Sequence, residues 1–127
     1  MADKKPLKVM VAEDDSFLMN MYLAKFKQEG YEVIASADGV EAITSLKAGE
    51  NPDIILLDIM MPNKNGFEVL DFINTDPKLK KTPVIILSNL GQESDIQRGK
   101  DAGAVDFIVK ANISLEDIVT KIKKYTA

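Results

Sequence analysis

The sequence predicts a three-layer α/β fold, with a five-stranded parallel sheet between two layers of helices. Three observations carry the prediction. Short, largely apolar runs recur at Leu7–Ala12, Glu32–Ala37, Ile54–Leu57, Pro83–Ser88 and Val105–Val109. Each is followed by a segment with apolar residues at helical spacing. Runs such as Ile54-Ile55-Leu56-Leu57 are apolar on both faces, as suits strands covered on both sides in a parallel sheet. Strands alternating with helices in this way pack as a parallel sheet with helices on both faces.

The first run ends at Glu13-Asp14-Asp15, an acidic loop in which Asp14, Asp15 and Ser16 are all candidates to cap the next helix. That helix runs to about Glu29, with Leu18, Met21, Tyr22 and Phe26 as its apolar positions and Gly30 as its stop. After the second run, Asp38-Gly39 opens a helix carrying Val40, Ile43 and Leu46 and ending at Gly49. The third run ends on Asp58, and Met61-Pro62 halts regular structure, because proline cannot donate to a strand ladder. Asn65-Gly66 is a hairpin signal, but Phe67, Leu70 and Ile73 downstream keep helical spacing. The fourth run ends on Ser88. The next helix, roughly Gln92 to Ala102, has Ile96 as its only large apolar residue and Gly99 in its interior, so weak anchoring is expected. The fifth run leads into Lys110. Ser114-Leu115-Glu116-Asp117 then resembles a capping box ahead of a stripe of Leu115, Ile118, Val119, Ile122 and Tyr125.

A flavodoxin-like strand order, 2-1-3-4-5, is the expectation for such a chain. It sets the first and third strands side by side at the switch point, where open α/β sheets bind ligands. Glu13, Asp14, Asp58, Ser88 and Lys110 then gather along one edge. Clustered carboxylates repel one another unless a cation is present. Oxygen donors without sulfur or imidazole favour a hard ion, and Mg²⁺ fits best. Carboxylate, cation, lysine and hydroxyl together suggest phosphoryl transfer. Asp58 is the natural nucleophile, Lys110 neutralises charge on the phosphoryl oxygens, and Ser88 donates to one of them.

Composition narrows the choice. At 127 residues, 46% hydrophobic and 28% charged, the chain fits a single domain, residues 1–127, with an ordinary core. It has neither cysteine nor histidine, which excludes disulfides, thiolate chemistry, imidazole bases and the usual zinc sites. A net charge of −4 argues against direct nucleic-acid binding. The N-terminus lacks the apolar stretch of a signal peptide, and no run approaches a membrane span, so a cytoplasmic protein without membrane insertion is expected.

Val11-Ala12-Glu13-Asp14-Asp15, Leu57-Asp58-Ile59-Met60-Met61-Pro62 with Gly66, Leu87-Ser88 and Phe107-Ile108-Val109-Lys110 are similar to the motifs of the response-regulator receiver domain of two-component signalling, here of the single-domain type. The resemblance spans essentially the whole chain. It implies that Asp58 accepts a phosphoryl group from a sensor histidine kinase or phosphotransfer protein. It implies that Asp14 ligates Mg²⁺ directly, Glu13 does so through water, and the Met60 backbone carbonyl adds a further ligand. Ser88 and Lys110 would bind the phosphoryl group. Phe107, with Ser88, would switch the surface formed by the fourth helix, fifth strand and fifth helix for an unidentified downstream protein. Such a chain is a regulatory domain that catalyses its own phosphorylation and dephosphorylation, not an enzyme acting on free substrates. Ala111 departs from the family's usual proline, and Asn89 from its usual smaller residue; these bear on the placement of Lys110 and on access to Asp58. The alternative is a pseudo-receiver, a phosphorylation-independent interaction module. An aspartate-nucleophile phosphatase is disfavoured by Met60, which stands where such enzymes commonly carry a second aspartate.

Overall fold

The apolar runs become β1 (Lys8–Ala12), β2 (Glu32–Ser36), β3 (Ile54–Leu57), β4 (Val84–Ser88) and β5 (Asp106–Val109). They pair in parallel as β2-β1-β3-β4-β5 in a computed structural model that describes residues 5–89 and 93–127. The intervening helices are α1 (Ser16–Gln28), α2 (Gly39–Lys47), α3 (Gly66–Thr75), α4 (Glu93–Asp101) and α5 (Leu115–Thr126). The predicted order of the sheet is the observed one.

The double-sided apolar runs have a direct structural reason. Successive strand residues point to opposite faces, and here each face has its own core. Val9, Val11, Ile54, Leu56, Ile85 and Leu87 pack with Tyr22 and Phe26 of α1 and with Ile118 and Ile122 of α5. Met10, Ile55, Leu57 and Ile86 pack with Leu46 of α2 and with Phe67, Leu70 and Ile73 of α3.

Helix starts follow local chemistry. Asp15, one of the three candidates, caps α1, its Oδ1 accepting from the Phe17 and Leu18 N–H groups at 2.9 and 3.1 Å. Ser114 and Asp117 form the predicted capping box on α5. Asn65 closes a second box with Glu68, so Asn65-Gly66 starts α3 and makes no hairpin. Two apolar assignments are corrected. On α1, Met19 is buried, whereas Met21 is 38% exposed. On α2, Ala42 takes the core position, and Val40 is 42% exposed. Helical spacing alone placed Met21 and Val40 on the apolar face, whereas the angle at which each helix meets the sheet decides which residue is buried.

The described part of α4 begins at Glu93; Gln92, the expected first residue, lies outside the described residues. Gly99 is the buried residue of α4. A Cβ there would come within 2.8 Å of Ile86 Cδ1 and 3.0 Å of Phe107 Cδ2, so α4 meets the sheet through bare backbone. Arg98 places its guanidinium 3.9 Å from the Phe67 ring centroid, a cation–π contact that holds the helix against α3.

Opposite α4, Asp106 ties β5 to α5. Its Oδ2 accepts from Lys121 Nζ at 3.0 Å and from the Tyr125 hydroxyl at 2.9 Å. Burial pushes the Asp106 carboxyl up, but these bonds and one from the Phe107 N–H outweigh it, holding the group below the usual carboxylate range.

Two outcomes follow from these contacts. Helix propensity alone favours Gly99→Ala by about 1 kcal/mol, but the crowding costs about 1–3 kcal/mol. The substitution is therefore expected to lower the midpoint of urea unfolding. For Asp106, a depressed folded pKa gives stability that is present above the unfolded value, about 4, and is lost as pH falls through the folded one. Urea unfolding at neutral pH and at pH values below about 4 should show Asp106→Asn less stable at neutrality, with the gap closing in acid.

Candidate functional site

Glu13, Asp58 and Lys110 each stand one residue beyond a strand. They continue the alternation of Val11, Leu56 and Ile108, the residues that face α1 and α5. The ladder runs on past the strand ends, with the Glu13 N–H donating to the Ser36 carbonyl at 3.0 Å and the Asp58 N–H to the Ala12 carbonyl at 3.0 Å. Residues remote in sequence are thereby brought to one place. Lys110 Nζ donates to Glu13 Oε1 at 2.5 Å and to Asp58 Oδ2 at 2.8 Å. The second oxygen of each carboxylate is also held: Glu13 Oε2 accepts from the Asp15 N–H and Asp58 Oδ1 from the Met60 N–H, both at 3.1 Å. Each acid thus uses one oxygen for the lysine and the other for a backbone N–H two residues on.

These groups are withdrawn from water. The side chains of Glu13, Asp58 and Lys110 are 2%, 7% and 10% exposed. Burial pushes Glu13 up, assisted by the charge of Asp58, although its bonds to Lys110 and the Asp15 N–H pull the other way. Burial alone would lower Lys110; its hydrogen bonds to Asp58 and Glu13 carry it above the usual lysine range and hold it cationic.

Asp14 is exposed and completes a carboxylate group with Glu13 and Asp58, with one oxygen from each lying within 4.8 Å of the others. An all-oxygen set with one solvent-facing member suits a hard cation that keeps several of its waters, and Mg²⁺ is such an ion. Asp14, Asp58, Met60, Ser88, Asn89 and Lys110 line a cleft of about 200 Å³. Ser88 lines it and is buried, only 1% exposed. Asn89 is exposed and lines the same cleft as Asp58. Ala111 does not keep Lys110 away. Lys110–Asn112 forms a 3₁₀ turn, with no cis peptide among the described residues, and the ammonium still reaches both acids.

Phe107 is not part of the cleft. Its half-buried ring packs into the opposite core, beneath Gly99. Tyr22 was not singled out as a site residue, yet it lines an adjoining cleft with Lys110. Burial pushes its hydroxyl up, with the charges of Glu13 and Asp58 adding to the effect and Lys110 opposing it. Its position at apolar helical spacing marks it only as core.

Comparison with known proteins agrees with this geometry. Residues 9–123 match the response regulator receiver domain family. The chain is 32% identical over 120 residues to the polar-differentiation response regulator DivK of Brucella anthropi, covering 94% of this chain and 96% of that protein. It is 36% identical over 103 residues to the response regulator PleD of Caulobacter vibrioides, of which the match spans 22%. Among solved structures, the receiver domain of Francisella response regulator 1452 superposes with a TM-score of 0.86 at 30% identity, over 96% of this chain and 97% of that one. Chemotaxis response regulator CheY4 of Vibrio cholerae does so with a TM-score of 0.87 at 27% identity, over 95% and 99%. The match runs from β1 into α5 and takes in every strand that supplies the cleft; this chain belongs to the response regulator receiver domains of two-component signalling.

Proposed function

We propose that this chain is a phosphorylation switch in which Asp58 accepts a phosphoryl group from a phosphohistidine. The donor would be a sensor histidine kinase or phosphotransfer protein, since the chain has no histidine of its own. The observation that carries the reading is the state of Asp58: a buried carboxylate at the floor of a cleft, gripped by Lys110 at 2.8 Å. In the transfer, an Asp58 oxygen forms a bond to phosphorus, the P–N bond breaks, and its electron pair goes to the imidazole. Lys110 neutralises charge on the phosphoryl oxygens, and Ser88 supplies a hydroxyl donor. Receiver domains bind Mg²⁺ at an acidic cluster of this kind; here Glu13, Asp14, Asp58 and the Met60 carbonyl would hold it. Bound there, the ion supplies positive charge to the transferring group.

The chain would catalyse its own phosphorylation and hydrolysis, because the groups for both belong to it. Phe107 and Ser88 would convert the modification into a change of the surface formed by α4, β5 and α5, read by a protein partner. Met60, 62% exposed, lines the cleft, and Phe17, 72% exposed, precedes Leu18, which also lines it; both offer apolar surface on which a phosphodonor can seat. Among the described residues, no helix is long and apolar enough to cross a membrane.

Incubation with acetyl phosphate, followed by intact mass measurement, should show one added phosphoryl group. The adduct should require both Mg²⁺ and Asp58 and be absent in Asp58→Asn. No adduct, together with no response to beryllofluoride, would instead support the pseudo-receiver reading. Lys110→Met leaves two buried acids without their cation. It is expected to lower stability by about 3 kcal/mol in metal-free buffer, measured by urea unfolding, and to weaken phosphoryl uptake.

A further inference from the structure

Of the oxygen donors assigned to Mg²⁺, the Met60 carbonyl alone belongs to the backbone. It has no rotamer of its own, so its position is that of the loop between β3 and α3. The ends of this loop are closed on each other, the Gly66 N–H donating to the Ile59 carbonyl at 2.9 Å. Its outer part, Pro62 to Asn65, is exposed or half-buried. Two contacts tie that part to the start of α2. Asn63, in the left-handed region at φ 69°, donates from Nδ2 to Asp38 Oδ2 at 2.6 Å. Beside it, a Cβ on Gly39 would collide with the Lys64 carbonyl oxygen, so the two backbones touch.

Asp38 is a fixed anchor. Its other oxygen, Oδ1, accepts from the Glu41 N–H at 2.8 Å as the N-cap of α2. One carboxylate therefore caps a helix and holds a loop. A hydroxyl could cap the helix equally well, but it lacks the second oxygen that Asn63 uses.

We infer that Asp38 and Asn63 are positioning residues for the cation site: their hydrogen bond clasps the loop that carries Met60 to the N-terminus of α2 and holds its carbonyl in place for Mg²⁺. The inference rests on the proposed role of Met60 as a ligand. Neither side chain touches the cleft. Groups of this kind, which orient ligands without contacting the metal, typically change affinity 10–100-fold when lost.

The test is Mg²⁺ binding to the full chain by titration calorimetry, beside thermal melting in metal-free buffer. Asp38→Ser keeps the helix cap and loses the clasp. Asn63→Gly keeps the left-handed backbone, which glycine adopts freely, and loses the amide. Each is expected to weaken Mg²⁺ binding by about 10-fold. The double variant should be no weaker than the worse single, because both remove the same bond. Binding equal to wild type in both variants, losses that add in the double variant, or a lowered melting temperature with unchanged binding would each overturn the clasp. Asp14→Asn separates this failure from failure of the site itself: wild type should bind and Asp14→Asn should not. A wild-type chain that takes up no Mg²⁺ overturns the ligand assignment and this inference with it.

Discussion

One ammonium group makes the site possible. Glu13 and Asp58 are both buried, with oxygens inside 4.8 Å of each other, and two like charges at that range repel by about 3 kcal/mol at an effective dielectric of about 20. Lys110 Nζ lies against both and offsets that repulsion. The acids come from adjacent strands, but the lysine comes from the end of β5, at the far edge of the sheet. The site therefore cannot assemble from β1 and β3 alone; the charge that lets the acids share one pocket arrives only once β4 and β5 have joined them. The same requirement makes the pocket receptive to an added cation, whose charge eases the same repulsion.

The short strand β5 links this site to the rest of the molecule. Asp106 bonds to α5, Phe107 lies under α4, and Ile108 enters the core shared by α1 and α5. Two residues later Lys110 grips Asp58. Side chains alternate across a strand, so five consecutive residues reach two helices, two cores and Asp58. The seat of α4 is the least conventional of these contacts. The helix rests on the sheet through Gly99, against Ile86 and Phe107, and through the stacking of Arg98 on Phe67. A helix held by a backbone approach and a surface stack is fixed by fit more than by buried area, so its position depends on where the Phe107 ring lies.

The loop after Asp58 shows the same economy. Its first residues hold Asp58, through the Met60 N–H on Asp58 Oδ1. Its last serve α3, through the Asn65 and Glu68 capping box. Its middle is tied to α2 by Asn63 and Asp38. The chain thus passes from chemistry to scaffold within eight residues, and the α2 contact belongs to neither end.

Much of this was determined by the sequence alone. The five strands, their parallel arrangement, the capping box at Ser114 and the presence of Glu13, Asp14, Asp58, Ser88 and Lys110 at strand ends are all legible, because periodicity and capping act over a few neighbouring residues. The family motifs lie at those same strand ends. Tertiary structure decided the pairings: Lys110 with Glu13 across 97 positions, and Asn63 with Asp38 across 25. It also decided that Met19 and not Met21 is buried, and that Gly99 is a seat for Phe107. Local pattern specifies which face a residue can occupy. Which atom it meets there depends on helix angle, strand register and the room left by neighbours, and those quantities exist only once the sheet and its two helical layers have packed.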